Sequence, residues 1–154
     1  MVKHLDKITF PPVEDHIGAR LWHMSEVWKA RFDADMVAMG HAYFAEARSS
    51  ILRYLGPGGA PQSAIVARMG LSKQAVQQLL DDLVADGVVE RSPDPGDRRG
   101  KLVSLTQKGL RALHDANKVK KRIARDYEKL IGADRLATLM QVLDELAVAI
   151  KSAK

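Results

Sequence analysis

The stretch from Pro61 to Leu105 leaves this chain few ways to fold. Pro61 presets the backbone angle for a first helical turn, and the helix it opens ends at Met69-Gly70. Gly70 supplies the left-handed residue of a sharp turn, since without a Cβ it meets no steric penalty there. Ser72 then offers a hydroxyl to the free amides of a new first turn. The second helix is predicted from Lys73 to Asp86, with Val76, Leu79, Leu80 and Leu83 on its inner stripe and Gly87 closing it. A helix, a short glycine turn and a capped second helix form a helix-turn-helix. Val88 to Arg91 has strand propensity, Ser92 to Gly100 is a polar loop rich in Pro, Asp and Gly, and Lys101 to Leu105 returns as a strand. Two strands joined by a long loop with a basic tip, directly after such a helix, make a wing.

Helices flank this module on both sides. Ile17, Leu21, Met24, Trp28 and Phe32 recur at helical steps and predict a helix from about Asp15 to Phe32. A second helix is predicted from Tyr43 to Leu55, with Phe44, Ala47, Ile51, Leu52 and Leu55 inward, before Gly56-Pro57-Gly58-Gly59 stops it. Thr106 caps a long helix to about Ile131, Gly132 breaks it, and a last helix runs from Ala133 to about Lys151. The class is mainly α, a winged helix-turn-helix with a small β-wing. It divides into an N-terminal helical region (1–42), the winged module (43–105) and C-terminal helices (106–154).

Composition then removes whole classes of function. No run of 18 apolar residues occurs, so no membrane span is expected, and Met1 to Asp6 lacks the apolar core of a secretory signal. With 0 cysteines, disulfides, thiol redox sensing and thiolate-bound zinc are out, and a cytoplasmic location fits. His16, His23, His41 and His114 are scattered without ligand spacing, and His23 with Glu26 reads as a surface pair, so no metal or cofactor is expected. No phosphate loop, nucleophile elbow or catalytic carboxylate pair appears, so the chain does not read as an enzyme. The net charge of +5 leans toward a polyanionic partner. Residues 60–105, however, hold six basic and six acidic side chains. The excess lies in Lys118, Lys120, Lys121, Arg122 and Arg125, which read as a solvated helix face.

The runs Leu71-Ser72-Lys73-Gln74-Ala75-Val76 and Leu83-Val84-Ala85-Asp86-Gly87-Val88-Val89-Glu90-Arg91 resemble the multiple-antibiotic-resistance regulator (MarR) family. So do Pro93-Asp94-Pro95-Gly96-Asp97-Arg98-Arg99-Gly100-Lys101 and Leu105-Thr106-Gln107-Lys108-Gly109. The likeness is dense from Gln62 to Gly109 and elsewhere rests on helix order. It implies a transcriptional regulator, in the commoner case a repressor, that binds a pseudo-palindromic operator in double-stranded DNA. It also implies a homodimer whose terminal helices interleave. The broad apolar face Leu136, Leu139, Met140, Val142, Leu143, Leu146 and Ile150, with Leu21, Trp28 and Phe32 of the first helix, is compatible with that.

On this reading Ser72, Lys73, Gln74, Ala75, Gln77 and Gln78 lie at the major-groove end of the recognition helix. Glutamine bonds adenine through two parallel hydrogen bonds, lysine suits guanine or phosphate, and Ala75 is small enough for a thymine methyl. The resemblance assigns Arg99 to the minor groove, Arg98 and Lys101 to phosphates, and gives Asp97 the shaping of the wing by pairing with Arg99. Gln62 and Ser63, in the first turn of the preceding helix, are placed to offer their amides to a phosphate. A small-molecule pocket is implied too. Trp22, His23, Trp28, Arg31, Phe32 and Met36 are its candidates, with an aromatic acid or phenol as ligand, and core packing is the alternative for the aromatics. Ligand-independent DNA binding, and a dimeric adaptor that binds protein, remain alternatives to the regulated DNA binder.

Overall fold

The computed structural model describes residues 15–153; the first part of the N-terminal region, 1–14, and Lys154 lie outside the described residues. Helix α1 (Ile17–Ala38) begins where the His16 ring accepts the Ala19 amide proton, and runs six residues past its predicted end. Two short 3-10 stretches follow (Ala42–Ala45 and Ala47–Tyr54). Then come β1 (Ala60–Pro61), α2 (Gln62–Met69), α3 (Lys73–Ala85), β2 (Val89–Asp94), β3 (Asp97–Leu105), α4 (Gln107–Ile131) and α5 (Ala133–Ser152).

The predicted helix from Tyr43 to Leu55 is therefore replaced by two tighter turns. Glu46 is extended at φ −112°, ψ 159° and separates them. Ser49 and Ser50 donate their hydroxyls to the carbonyls three residues back, Glu46 at 2.9 Å and Ala47 at 2.7 Å, which gives the backbone a local alternative to the α-helical ladder. Ile51 and Leu55 are buried as expected, whereas Ala47 is exposed.

The wing also differs from its expected form. Strands β2 and β3 reach almost to the tip, so a two-residue turn at Pro95-Gly96 replaces the long loop. Asp94 pairs with Asp97 and Pro93 with Lys101, which leaves Arg98, Arg99 and Gly100 as a bulge on β3. Pro93 has no amide proton to keep the ladder regular, and extra residues on one strand bend it and turn their side chains outward. Strand β1, two residues long and without sequence pattern, pairs Ala60 with Val103 and Pro61 with Leu102, so the sheet order is β1-β3-β2.

Two apolar clusters support these elements. Ile51, Ile65, Val76, Leu80, Leu83, Val88 and Val103 fill the winged module, while Phe32 and Met36 of α1 pack on Ala116, Val119 and Ile123 of α4. Phe44 touches both clusters. The predicted inner stripe of the recognition helix is buried except for Leu79, which is half-buried. By contrast, Ile17, Leu21 and Met24 are exposed, and α5 buries no residue within the chain.

Ion pairs cross from α1 to α4. Arg31 binds Asp126, and Arg122 binds Asp35 at 2.9 Å. The Arg31 hydrogen bond holds the Asp126 carboxyl below the usual carboxylate range. Folded Asp126 thus stays ionised where the unfolded chain already takes up a proton. Its contribution is present above the unfolded value and fades as pH falls through the folded one. Asp126→Asn is expected to lose less thermal stability than wild type between about pH 5 and pH 3. Parallel melting curves across that range would remove the pair from the acid response.

Candidate nucleic-acid interface

Caps and turns place the residues expected to read DNA. The Ser72 hydroxyl accepts the Ala75 amide proton at 3.1 Å and starts α3, leaving Lys73, Gln74, Ala75 and Gln78 on its exposed side. Gly70, at φ +64°, reverses the chain between α2 and α3 so that their first turns lie together. On the wing, Asp97 Oδ1 accepts the backbone amide proton of Arg99 at 2.9 Å. The expected Asp97–Arg99 contact is thus to the backbone: the carboxylate shapes the bulge, and the Arg99 guanidinium remains exposed.

These pieces meet in one groove of about 330 Å³, lined by Gln62, Ser63, Lys73, Asp97, Arg99 and Lys101 among others. Three cations from two elements face the first turn of α2, whose Pro61 cap contributes no side-chain acceptor. Amides of a first turn have no partner inside their own helix, so with the cations they suit an anionic oxygen. Arg98 and Gln78 are exposed but do not line the groove.

The acidic half of the module is held at the back. Arg91 of β2 donates to Asp81 at 2.5 Å, Gln78 donates to Asp82 at 3.0 Å, and Arg48 pairs with Asp86 at 3.2 Å. The Arg91 hydrogen bond, assisted by Gln77, keeps the Asp81 carboxyl below the usual range. Equal counts of charge therefore conceal a partly segregated field, with Asp81, Asp82 and Asp86 partnered at the back and Lys73, Arg98, Arg99 and Lys101 outward beside Asp97.

Residues 46–100 match the MarR family model. The winged-helix segment belongs to the MarR family. Its 73 most similar residues are 37% identical to the multiple antibiotic resistance protein MarR of Escherichia coli, over 47% of this chain and 51% of that protein. The chain spans about half the length of the curated relatives it matches. In three dimensions, apo wild-type MarR from E. coli superposes with a TM-score of 0.68 at 26% identity, covering 87% of this chain and 98% of the other. A mutant of E. coli MarR complexed with operator DNA gives 0.64 at 26% identity, covering 83% and 91%.

Between this MarR-type module and the flanking helices lies a second cavity, of about 360 Å³, lined by Trp28, Phe32, Phe44, Arg53, Leu113 and Lys120 among others. Trp28 stacks on Phe32 at 5.0 Å, Phe44 meets Phe32 edge-on at 5.6 Å, and Lys120 sits 5.9 Å above the Phe32 ring. Of the sequence candidates, Trp28 and Phe32 line it. Trp22 is 71% exposed, His23 is exposed, Arg31 is committed to Asp126 and Met36 is fully buried in the core. Among the described residues, three cations line the cavity: Lys29, which is paired with Asp33, and Arg53 and Lys120. None of the three is among the sequence candidates. Lys120 belongs to the run expected as a solvated face, and nothing local marks a lysine that folds back over an aromatic 88 positions earlier.

Proposed function

We propose that this chain is a DNA-binding transcriptional regulator, a repressor, that binds a pseudo-palindromic operator as a homodimer. Helix α3 enters the major groove with Lys73, Gln74, Ala75 and Gln78, and the wing carries Arg99 into the adjacent minor groove. The observation that carries this reading is the single groove joining the first turn of α2, Lys73, Arg99 and Lys101, which suits a backbone phosphate. The MarR–operator complex among its structural relatives supports the same reading.

The dimer is supported by the apolar surface left over. Leu139, Met140, Val142, Leu146, Val148 and Ile150 of α5 are exposed, as are Ile17, Leu21 and Trp22 of α1. Large contiguous apolar faces of this kind mark contact surfaces, and a two-fold partner covers both at once. The cavity beside Trp28 and Phe32 accommodates a small aromatic acid, its ring among the aromatics and its carboxylate toward Arg53 or Lys120. Such a ligand, wedged between the flanking helices and the module, would favour a spacing of the two modules that no longer matches the operator.

Gel-shift titration of genomic fragments tests the reading. Arg99→Ala is expected to lower operator affinity by about tenfold, in keeping with a groove-reading arginine, with an unchanged circular dichroism spectrum. Unaltered affinity would sink the minor-groove role, and no shifted fragment for wild type would sink DNA binding. Repeating the titration with added benzoate reads the ligand: loss of the shifted band supports it, and an unchanged band removes it.

A further inference from the structure

We propose that Arg91 is a positioning residue for DNA recognition, acting through a side-chain relay Arg91–Asp81–Gln77–Gln62 that joins the wing to both helices of the reading module. The proposal rests on the DNA-binding reading above. Arg91 of β2 donates to Asp81 Oδ1 at 2.5 Å, Gln77 Nε2 donates to the same oxygen at 3.0 Å, and Gln62 Nε2 donates to Gln77 Oε1 at 2.5 Å. Gln77 and Asp81 are one turn apart on α3, so a single face of that helix carries the relay from the wing to the first turn of α2.

The direction of donation has consequences. A glutamine that reads adenine must donate and accept together, through its own amide oxygen and nitrogen. Gln77 already accepts from Gln62 and donates to Asp81, and it is half-buried. Its amide is oriented by protein on both sides, so base reading falls to its exposed neighbours Lys73 and Gln74, and to Gln78, which donates to Asp82 but keeps its amide oxygen for an outward-facing partner. Gln77 thus leaves the set of base readers expected from sequence and becomes a strut.

Arg91 is the stiff end of this strut. Its Nε and Nη2 are buried without a hydrogen-bond partner, so Asp81 is the acceptor that compensates the guanidinium among the described residues. Two of its guanidinium nitrogens are shielded from water while Asp81 is half-exposed, so the charge-assisted hydrogen bond to Asp81 is what anchors the guanidinium at this edge of the module. Swinging the wing away from α3 would break this pair. The relay therefore fixes the angle between the minor-groove arm and the major-groove helix, which determines whether both can engage one operator together. Specific binding needs both contacts in register, whereas non-specific binding needs only charge near phosphates.

The test compares full-length wild type, Arg91→Met and Gln62→Met on a duplex selected from random sequence and on a scrambled duplex, with amide hydrogen exchange of residues 73–105 as a second measurement. Arg91→Met is expected to lose about tenfold in affinity for the selected duplex and less than about twofold for the scrambled one. Gln62→Met, which removes the far link but keeps the Gln62 backbone amide that faces the groove, should show a smaller loss of the same kind. Wing and α3 amides should exchange faster in Arg91→Met. Equal losses on both duplexes would make Arg91 a phosphate contact and overturn the relay, as would unchanged selectivity. Should wild type bind no duplex, the DNA reading fails, and the exchange rates alone decide the relay: unaltered protection in Arg91→Met overturns it. Should Arg91→Met not fold, Gln62→Met decides it by the same two readouts.

Discussion

Gly109→Ala should destabilise the protein by about 3 kcal/mol, the upper range for forcing an extra carbon into a packed site. Gly109 lies in the first turn of α4, against the start of the wing. A Cβ built there would stand 2.2 Å from the Val88 carbonyl oxygen and 3.0 Å from Leu105 Cδ2. Leu105 can turn aside as a side chain, but the oxygen belongs to backbone. Val88 O is already engaged: it accepts the Thr106 amide proton and the Thr106 hydroxyl, both at 3.1 Å. Moving it breaks the capping arrangement that starts α4 and shifts the edge of β2. For a chain of this size the melting temperature should drop by about 10 °C. Gly56→Ala is the control, since nothing lies within 4 Å of the position and its φ is not in the left-handed region. It should stay within about 0.5 kcal/mol of wild type. A Gly109→Ala protein that melts with the wild type would refute the close approach of α4 to Val88.

Phe32→Ala should cost a similar amount, about 3 kcal/mol, typical of removing a buried phenyl ring. Phe32 is 7% exposed and makes three separate ring contacts: the stack with Trp28, the edge contact with Phe44, and the Lys120 ammonium above its face. Removing it enlarges the neighbouring 360 Å³ cavity, because the residues around it are held by two helices that cannot close the gap. Phe32→Leu, closer in volume, should recover more than half of the loss. Urea denaturation of the three proteins gives the ranking, and a Phe32→Ala midpoint equal to wild type would show that the ring is not part of the core.

Much of the winged module was legible because its signals are local. Ser72 and Thr106 precede helices and accept amide protons three residues on, and Gly70 ends α2 in the left-handed conformation. Such decisions need only neighbouring residues. What was not legible depended on partners far away in sequence. Strand β1 has two residues and exists because β3 is beside it. The Gln62–Gln77 contact spans 15 positions, Arg31–Asp126 spans 95, and neither has a spacing that announces it. Arg31 was expected at the cavity because it follows Trp28 by one helical turn. It is drawn instead to a carboxylate on α4, and Arg53 and Lys120 take that place. The stretch 42–54 misled for a different reason: its apolar spacing is helical, while its serines and the extended Glu46 prevent a continuous α-helix.

The short strand β1 also limits how this protein can change. Because Pro61 is in register with Leu102, the start of α2 and Lys101 are held at a set separation by backbone pairing. A one-residue insertion between Leu102 and Val103 would slip that register and swap inward for outward side chains. An insertion at the Pro95-Gly96 turn would alter only the reach of the arm beyond it. Arm length is therefore free to diverge between relatives while the seat at its base is not, and natural length variation should collect at the hairpin tip.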